Sequence, residues 1–297
     1  MKKIIARVRG GLGNQLFILA AAYSAVLESD DYEIVLDTRE YESYKVRDFE
    51  LFNLLRDKRV RLYDSGKDFS LVYDISRVFY HIYQKVISPQ KKMNKMLIKY
   101  GYLYTKRNAD LQNVRINSDT MFLYGYFQDV RMTSLVKKSI CSSIRDLYIG
   151  ISLRTDVAYI AVSIRWGQDY LKQGWPICSK QYFEDGVQEI INEKYKNRKT
   201  CVLIFSDEME DAKQLNFETE KVYVKDLSPS QQLLLMMKCQ DFVISNSSFS
   251  WWGAFLGADD KSIVVAPNVW YDTKETTKET FLYYENMRIR DMGWSNI

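Results

Sequence analysis

The chain of 297 residues is long enough for two ordinary domains, and its 46% hydrophobic and 27% charged residues exclude a disordered protein. A net charge of +4 excludes the strongly basic surface of a typical nucleic-acid binder and suits an anionic substrate. No apolar run approaches the roughly 20 residues of a membrane span, and the run after Lys3 is too short for the core of a signal peptide. We therefore expect a cytoplasmic protein, either free or held peripherally at the cytoplasmic face of the inner membrane.

Cysteine and histidine usage narrows the chemistry further. The four cysteines are widely spaced and form no Cys-x-x-Cys pair, which is typical of structural thiols in a reducing compartment. The one histidine, His81, lies in a Tyr-rich stretch and is expected to pack rather than to react. We therefore expect no histidine-based triad, no metal and no cofactor.

The first predicted elements form a strand, a turn, a helix and a second strand. Lys3–Val8 predict a strand, and a Gly-rich turn follows at Gly10–Gln15. A helix is predicted behind it by the apolar face of Leu16, Ala20, Tyr23 and Leu27. The second strand ends at Asp37, which in a dinucleotide fold would bind ribose, although Leu16 stands where the third glycine of that motif belongs. A tight turn with no ligand is the other interpretation.

The second half predicts strands that alternate with helices, the pattern of a doubly wound parallel sheet. The predicted strands are Ala158–Ile164, Cys201–Phe205, Lys221–Val224, Asp241–Ser245 and Ser262–Ala266. One helix is predicted at Lys180–Glu193, and Ser228 predicts the N-cap of another. A third carries Trp251 and Trp252, which we expect in the core.

Four polar clusters follow predicted strands, and ligands of open α/β sheets bind beyond the carboxyl ends of the strands. The clusters are Gly10–Gln15, Arg165–Tyr170, Ser206–Glu210 and Ser245–Ser250. Because parallel strands end at the same edge of a sheet, these clusters are the candidates for ligand binding.

Each of the three C-terminal clusters offers a contact to a nucleotide. Arg165 could grip a phosphate with its planar fork, or it could form a surface ion pair with Asp169. Asp207 could accept the N1–H and N2–H of guanine, or it could belong to the acids that favour a helix N-terminus. Ser247 and Ser248 could hold a diphosphate at a helix start, or they could simply cap that helix.

Taken together, these segments resemble the bacterial α-1,2-fucosyltransferases of glycosyltransferase family 11 along nearly the whole chain. The segments that carry the resemblance are Gly10–Phe17, Gly125–Gln128, Val162–Tyr170, Phe205–Glu208 and Ile244–Ala254, of which the last is long and highly specific. Three positions depart from the family's V-H-I-R-R-G-D-Y segment. Ser163 replaces its histidine, Trp166 replaces its second arginine, and Gln168 is an additional residue.

The resemblance implies a GT-B-type α/β fold, in which two Rossmann-like domains face a cleft. We place the N-terminal domain at residues 1–154, on the acceptor side, and the GDP-fucose-binding domain at residues 155–297. The implied reaction is an inverting, metal-independent transfer of L-fucose from GDP-β-L-fucose to the 2-hydroxyl of a terminal galactose in an oligosaccharide or O-antigen-type glycan. The partners are then the nucleotide sugar and a galactose-terminated acceptor, free or lipid-linked, and no nucleic acid.

The resemblance also suggests a role for each motif residue. Arg165 stabilises the leaving β-phosphate, and Asp169 is the candidate base, with late proton transfer and no dedicated base as the alternative. The predicted donor-binding residues are Gly11, Gly13, Asn14, Arg165, Asp207, Ser247, Ser248 and Phe249. Two other functions stay open: an NAD-dependent oxidoreductase that uses the Gly-rich turn, and an inactive glycan-binding protein, which the departures Ser163 and Trp166 suggest.

Overall fold

The chain divides into two α/β units, Met1–Arg145 and Asp146–Ile297. The structure, a computed structural model, describes residues 1–43, 46–86, 97–105, 118–147, 149–271 and 281–293, with only the backbone at residues 79–86. The sequence placed the domain boundary after residue 154, and the structure divides the chain after Arg145. The packing role expected of His81 lies outside the described side chains.

The first unit is built on a five-stranded parallel sheet. Its strands are β1 (Lys2–Arg7), β2 (Tyr32–Asp37), β3 (Val60–Leu62), β4 (Tyr102–Tyr104) and β5 (Thr120–Tyr124), in the order β3-β2-β1-β5-β4. The described helices are α1 (Leu12–Ala25), α2 (Leu51–Leu54), α3 (Ser65–Asp68), α4 (Leu71–Val86) and α5 (Val130–Ser143). The strand order reverses between β1 and β5, which is where ligands bind in such sheets.

The interior of the first unit is formed by β1 and α1. The apolar run of β1 pairs in parallel with β2 on one side and β5 on the other. α1 is apolar on almost every side because it packs on both the sheet and α5. The predicted face residues Leu16, Ala20 and Tyr23 are buried, but Leu27 lies beyond the end of the helix and is 50% exposed.

The second unit contains a six-stranded parallel sheet. Its strands are β6 (Ala158–Ile164), β7 (Thr200–Ser206), β8 (Glu220–Tyr223), β9 (Asp241–Ile244), β10 (Val264–Pro267) and β11 (Met287–Arg290). The described helices are α6 (Gln168–Lys172), α7 (Lys180–Lys194), α8 (Met209–Ala212), α9 (Pro229–Met236) and α10 (Ser248–Gly257). The order β8-β7-β6-β9-β10-β11 is the doubly wound order of dinucleotide-binding sheets, and it reverses between β6 and β9.

Local sequence signals explain most elements of this second sheet. β6 has the predicted bounds and is buried at every residue. Ser228 caps α9 in a complete capping box, and Trp251 and Trp252 are fully buried, as expected. β11 was not predicted, because it is a short edge strand whose Arg288 and Arg290 face outward and pair with acidic side chains of α7.

The cysteines and the helices bear on the expected compartment. Cys178, Cys201 and Cys239 are buried, Cys141 is exposed, and none of the four forms a disulfide. Burial raises the pKa of the Cys178 and Cys239 thiols, which keeps them protonated and unreactive. Among the helices of the described ranges, none is long and apolar enough to cross a membrane.

Candidate functional site

The carboxyl ends of β6, β7 and β9 meet where the strand order of the second unit reverses. In the register of these strands, Ile164 lies opposite Ser206 and Ser163 lies opposite Ile244. The segments that follow the three strands are therefore neighbours. The structure thus brings three of the predicted clusters together at one edge of one sheet.

Arg165 lies at the centre of this edge. Its guanidinium donates to the carboxylates of both Asp169 and Asp207, and it lies 4.7 Å from the centroid of the Tyr170 ring. The Arg165 side chain is only 16% exposed, so its ion pairs are better shielded than ordinary surface pairs. A guanidinium has five N–H groups, and the two carboxylates engage only part of them. The ion pair with Asp169 therefore exists and still leaves Arg165 able to donate to a phosphate.

Asp207 ties the loop after β6 to the end of β7. Besides its contact with Arg165, it accepts hydrogen bonds from the backbone N–H of Trp166 at 2.9 Å and of Gly167 at 3.0 Å. Residue 167 must be glycine for this approach, because a Cβ there would lie 2.5 Å from Asp207 Oδ2. Asp207 thus has a positioning role that the sequence did not predict. The guanine-reading role would use its remaining lone pairs and stays a prediction.

Tyr170 and Asn246, to which the sequence assigned no role, connect the loops around Arg165. Tyr170 donates its O–H to the backbone carbonyl of Asn246 at 3.1 Å. Burial raises the pKa of Tyr170 to about 12, so the phenol remains a donor at neutral pH. Asn246 is 2% exposed, and its amide donates to the carbonyls of Pro176 and Trp270 at 2.9 and 3.4 Å. Its position after a buried strand was visible in the sequence, but the loops that it joins were not.

The start of α10 lies at the same edge, directly after β9. Its N-cap is Ser247, whose side chain makes no capping hydrogen bond with the described residues. The first amides of a helix lack intrahelical acceptors, and the first turn of α10 contains no acidic residue that would compensate them. The predicted residues Ser247, Ser248 and Phe249 therefore form a helix start that suits an anion, and plain N-capping does not explain Ser247.

Three buried hydroxyls hold this helix start against β6. Ser163 Oγ lies 2.7 Å from Ser250 Oγ, and Ser245 Oγ lies 3.3 Å from the same atom. All three residues are at most 2% exposed. The backbone N–H of Ser245 also donates to the carbonyl of Ser163 at 3.0 Å. Ser163, which replaces the family's histidine, therefore fixes the first turn of α10 to the central strand.

The hydroxyl network should appear as an energetic coupling between Ser163 and Ser250. We expect Ser163→Ala and Ser250→Ala each to lower the free energy of unfolding by about 0.5–1.5 kcal/mol. The double variant should lose less than the sum, because both single changes remove the same hydrogen bond. Urea unfolding of the four proteins measures the coupling. As a control, Ser163→Ala combined with Ser228→Ala at the distant cap of α9 should be additive, and additivity of the first pair as well would rule out the coupling.

Trp166, which stands where the family has a second arginine, belongs to the core. It is 8% exposed, and its indole N–H donates to the carbonyl of Cys178 at 2.7 Å. Its ring packs edge-on against Phe183, with the centroids 5.7 Å apart. Arg165 is therefore the arginine that this segment presents at the strand ends.

The Gly-rich turn forms a polar edge in the first unit, at the end of β1. Gly10 has a φ of +73°, and a Cβ there would lie 2.7 Å from Asn14 Nδ2, so glycine is required. Asn14 Oδ1 accepts from the side-chain amide of Gln128 at 2.9 Å, which joins the turn to the segment after β5. Gly11 is the N-cap of α1 and Gly13 lies in its first turn. These predicted residues lie where the strand order of the first sheet reverses.

Gln15 is the buried clamp of this turn, a role that its place in the polar cluster did not predict. Its Nε2 donates to the carbonyls of Gly10 at 2.9 Å and Asp48 at 2.8 Å. Its Oε1 accepts from the backbone N–H of Glu50 at 3.0 Å and of Leu51 at 2.9 Å. Both donors and both lone pairs of a fully buried amide are thus satisfied by backbone atoms.

Asp37 is not available to bind a ribose. It is fully buried, and Arg7 donates to its Oδ2 at 2.7 Å. Arg39 donates to both of its oxygens, at 3.0 and 2.9 Å. A dinucleotide site needs this carboxylate for the ribose hydroxyls, so the geometry argues against the NAD-dependent oxidoreductase.

Solved structures share the two-unit architecture. The crystal structure of fucosyltransferase NodZ from Bradyrhizobium matches with a TM-score of 0.52 at 15% identity, over 86% of this chain and 92% of that chain. A family 9 glycosyl transferase from Veillonella parvula matches with a TM-score of 0.50 at 10% identity, over 100% of this chain and 88% of that chain. At these identities the likeness concerns the fold alone, and with the two parallel sheets it confirms the predicted GT-B-type fold class with two Rossmann-like domains.

Two characterised relatives from Escherichia coli align along nearly the whole chain. The O-antigen biosynthesis glycosyltransferase WbnK is 27% identical over 94% of this chain and 98% of its own length. An alpha-1,2-colitosyltransferase is 25% identical over 93% of this chain and 94% of its own length. The model of the family described as glycosyl transferase family 11 matches residues 3–289. This chain therefore belongs to glycosyl transferase family 11, as its motifs indicated.

Proposed function

We propose that this glycosyltransferase moves L-fucose from GDP-β-L-fucose to the 2-hydroxyl of a terminal galactose, with inversion at the anomeric carbon and without a metal or cofactor. The observation that carries the proposal is the shielded Arg165 beside the open start of α10, at the strand-order reversal of the second unit. The names of the relatives support an α-1,2 linkage and an O-antigen-type acceptor. A NodZ α-1,6-fucosyltransferase structure soaked with GDP-fucose supports the donor.

In this proposal the second unit binds the donor and the first unit binds the acceptor. The diphosphate lies against the amides and hydroxyls of Ser247, Ser248 and Phe249, and Arg165 donates to the β-phosphate. As the bond from C1 of fucose to the β-phosphate oxygen breaks, the sugar gains oxocarbenium character and the phosphate gains charge. A preorganised guanidinium and a helix start stabilise that charge more in the transition state than in the bound donor.

Asp169 is the proposed base for the acceptor hydroxyl. Its carboxylate is 31% exposed and already paired with Arg165, so a phosphate that attracts Arg165 would weaken this pair and leave Asp169 more basic. Late proton transfer without a dedicated base is the alternative. Asp169→Asn separates them, since loss of a base typically costs about 10²–10⁴-fold in rate.

Incubation with defined donors and acceptors tests the reaction. The protein is mixed with GDP-fucose and an array of galactose-terminated glycans, and the products are analysed by mass spectrometry and by NMR of the new linkage. We expect addition of one fucose through an α-1,2 bond. Glycan binding with neither transfer nor donor hydrolysis would instead support an inactive glycan-binding protein.

GDP-colitose is the second candidate donor, because one relative is an alpha-1,2-colitosyltransferase. Colitose is L-fucose without its 3-hydroxyl, so the two donors share the nucleotide and the diphosphate and differ at one polar contact. A site built to bind that hydroxyl rejects the analogue strongly, whereas an apolar site discriminates weakly. Competition between the two donors in one reaction decides which sugar the site has evolved to transfer.

Nucleotide selectivity tests the role of Asp207. If its carboxylate pairs with guanine, GDP should raise the melting temperature through binding to the folded state, and ADP or UDP at the same concentration should not. Thermal unfolding followed by fluorescence measures the three shifts. Equal shifts with all three diphosphates would leave Asp207 with only its contacts to Arg165, Trp166 and Gly167.

Activity in a chelator tests the absence of a metal from the mechanism. Among the described residues, no group of three or more His, Cys, Asp or Glu side chains is placed to hold a metal ion. We expect transfer to continue unchanged in excess EDTA, because Arg165 and the start of α10 take the leaving-group charge. Turnover that stops in EDTA and returns with Mg²⁺ or Mn²⁺ would contradict this mechanism.

A further inference from the structure

α4 is attached to the first sheet by side chains that leave its apolar residues outside. Tyr73 is 1% exposed and stacks on Phe122, with the ring centroids 4.6 Å apart. Ser76 Oγ lies 2.5 Å from the Tyr104 hydroxyl, and Asp74 forms an ion pair at 3.0 Å. The face of α4 that meets the sheet is therefore fixed by aromatic and polar contacts.

The outer face of α4 is apolar and exposed. Its residues Leu71, Val72, Ile75 and Val78 are 60, 63, 46 and 51% exposed. At 3.6 residues per turn, Leu71, Ile75 and Val78 lie within about 60° of one another, on the side opposite Tyr73. A contiguous apolar stripe of this kind usually marks a surface that binds a partner.

The sequence around this stripe is strongly basic. From residue 75 to residue 109 it contains no Asp or Glu, and its basic residues are Arg77, Lys85, Lys91, Lys92, Lys95, Lys99, Lys106 and Arg107. These charges are read from the sequence and do not depend on where the side chains lie. An apolar helix face in a basic segment is the combination that binds the surface of an anionic bilayer.

We propose that the outer face of α4 docks on the surface of an anionic phospholipid bilayer. Leu71, Val72, Ile75 and Val78 enter the boundary between head groups and acyl chains, and the basic segment is attracted to the lipid phosphates. A second copy of the chain could also cover the stripe, but it would bring two basic segments of equal charge together, which is unfavourable. The charge therefore favours the bilayer, and the proposal does not depend on which sugar is transferred.

Co-sedimentation of the full chain with vesicles tests the proposal. We expect at least about ten-fold stronger binding to phosphatidylcholine mixed with phosphatidylglycerol than to phosphatidylcholine alone, and weaker binding at high salt. Ile75→Glu and Val78→Glu should each lower the partition coefficient about ten-fold or more, because each removes an inserted apolar side chain and adds a negative charge. Ile75→Ala should lower it by a smaller factor and keeps the test usable if a glutamate disturbs the fold.

Leu135→Glu is the matched control, since Leu135 lies in α5 and is 51% exposed, like Val78. It adds the same charge, and its binding should stay within about two-fold of the parent, the size of effect expected away from the inserted face. Equal binding to neutral vesicles, or an equal loss with Leu135→Glu, would overturn the proposal. A dimer in sedimentation equilibrium that Ile75→Glu dissociates, without any vesicle binding, would assign the stripe to a second copy and would also overturn it.

Discussion

The Arg165→Lys variant is expected to fold normally and to lose about 10²–10³-fold in kcat for glycosyl transfer. An ammonium group can reach one carboxylate, but it cannot contact Asp169, Asp207 and a phosphate together through a planar fork. Because negative charge on the leaving phosphate grows towards the transition state, the loss should appear in kcat and kcat/KM alike rather than in KM. Steady-state kinetics with GDP-fucose measures it.

Arg154→Lys is the matched control for this change. Arg154 belongs to the same unit and pairs with Asp156, but both side chains are more than half exposed, so its loss should leave kcat nearly unchanged. Trp166→Arg does not restore the family's second arginine, because Trp166 is buried and a charge there would lack a partner. If folded Arg165→Lys turns over within a few-fold of the parent, Arg165 serves only as an ion-pair partner of Asp169 and Asp207.

The Gln15→Ala variant is expected to lose about 2–5 kcal/mol in the free energy of unfolding, the largest stability effect that we expect in the first unit. It leaves the N–H groups of Glu50 and Leu51 and the carbonyl of Asp48 without the hydrogen bonds that Gln15 supplies. Gly10 keeps the hydrogen bond from the Tyr41 hydroxyl at 2.5 Å, so the Gly-rich turn loses only part of its support. Urea unfolding measures the loss.

Gln15→Glu separates the two halves of the clamp. A carboxylate can accept from Glu50 and Leu51, but it cannot donate to the carbonyls of Gly10 and Asp48 as the amide does. The protonated acid supplies one donor, so the folded state should raise the pKa of this group, and stability should rise as the pH falls through that pKa. The exposed Gln181 in α7 provides the control: Gln181→Ala should change stability by less than about 0.5 kcal/mol. A Gln15→Ala variant as stable as this control would show that the clamp is not needed.

The sequence predicted the elements whose signals are local. β6 shows its bounds by a continuous apolar run, and α9 shows its start by Ser228, Pro229 and Gln231. Leu27 was assigned to α1 by spacing alone, but α1 ends at Ala25 before that position. β11 escaped prediction because an edge strand with two outward arginines has no apolar pattern.

At the candidate site, the sequence predicted which residues follow which strands but not their hydrogen bonds. The convergence of Arg165, Asp207 and Ser247 follows from strand order, a property of the doubly wound fold. That Asp207 holds Arg165 and the loop after β6 together depends on contacts about 40 positions apart in the sequence, which no local pattern encodes. The same holds for Gln15, whose partners Asp48 to Leu51 lie in a separate loop.

A structure of the protein with bound GDP-fucose tests the donor site most directly. We expect the diphosphate at the carboxyl ends of β6 and β9, with the β-phosphate about 2.7–2.9 Å from the Arg165 guanidinium and against the start of α10 at Ser247 and Ser248. A nucleotide bound instead at the Gly-rich turn after β1, with Arg165 still contacting only Asp169 and Asp207, would contradict the assignment of the donor site to the second unit.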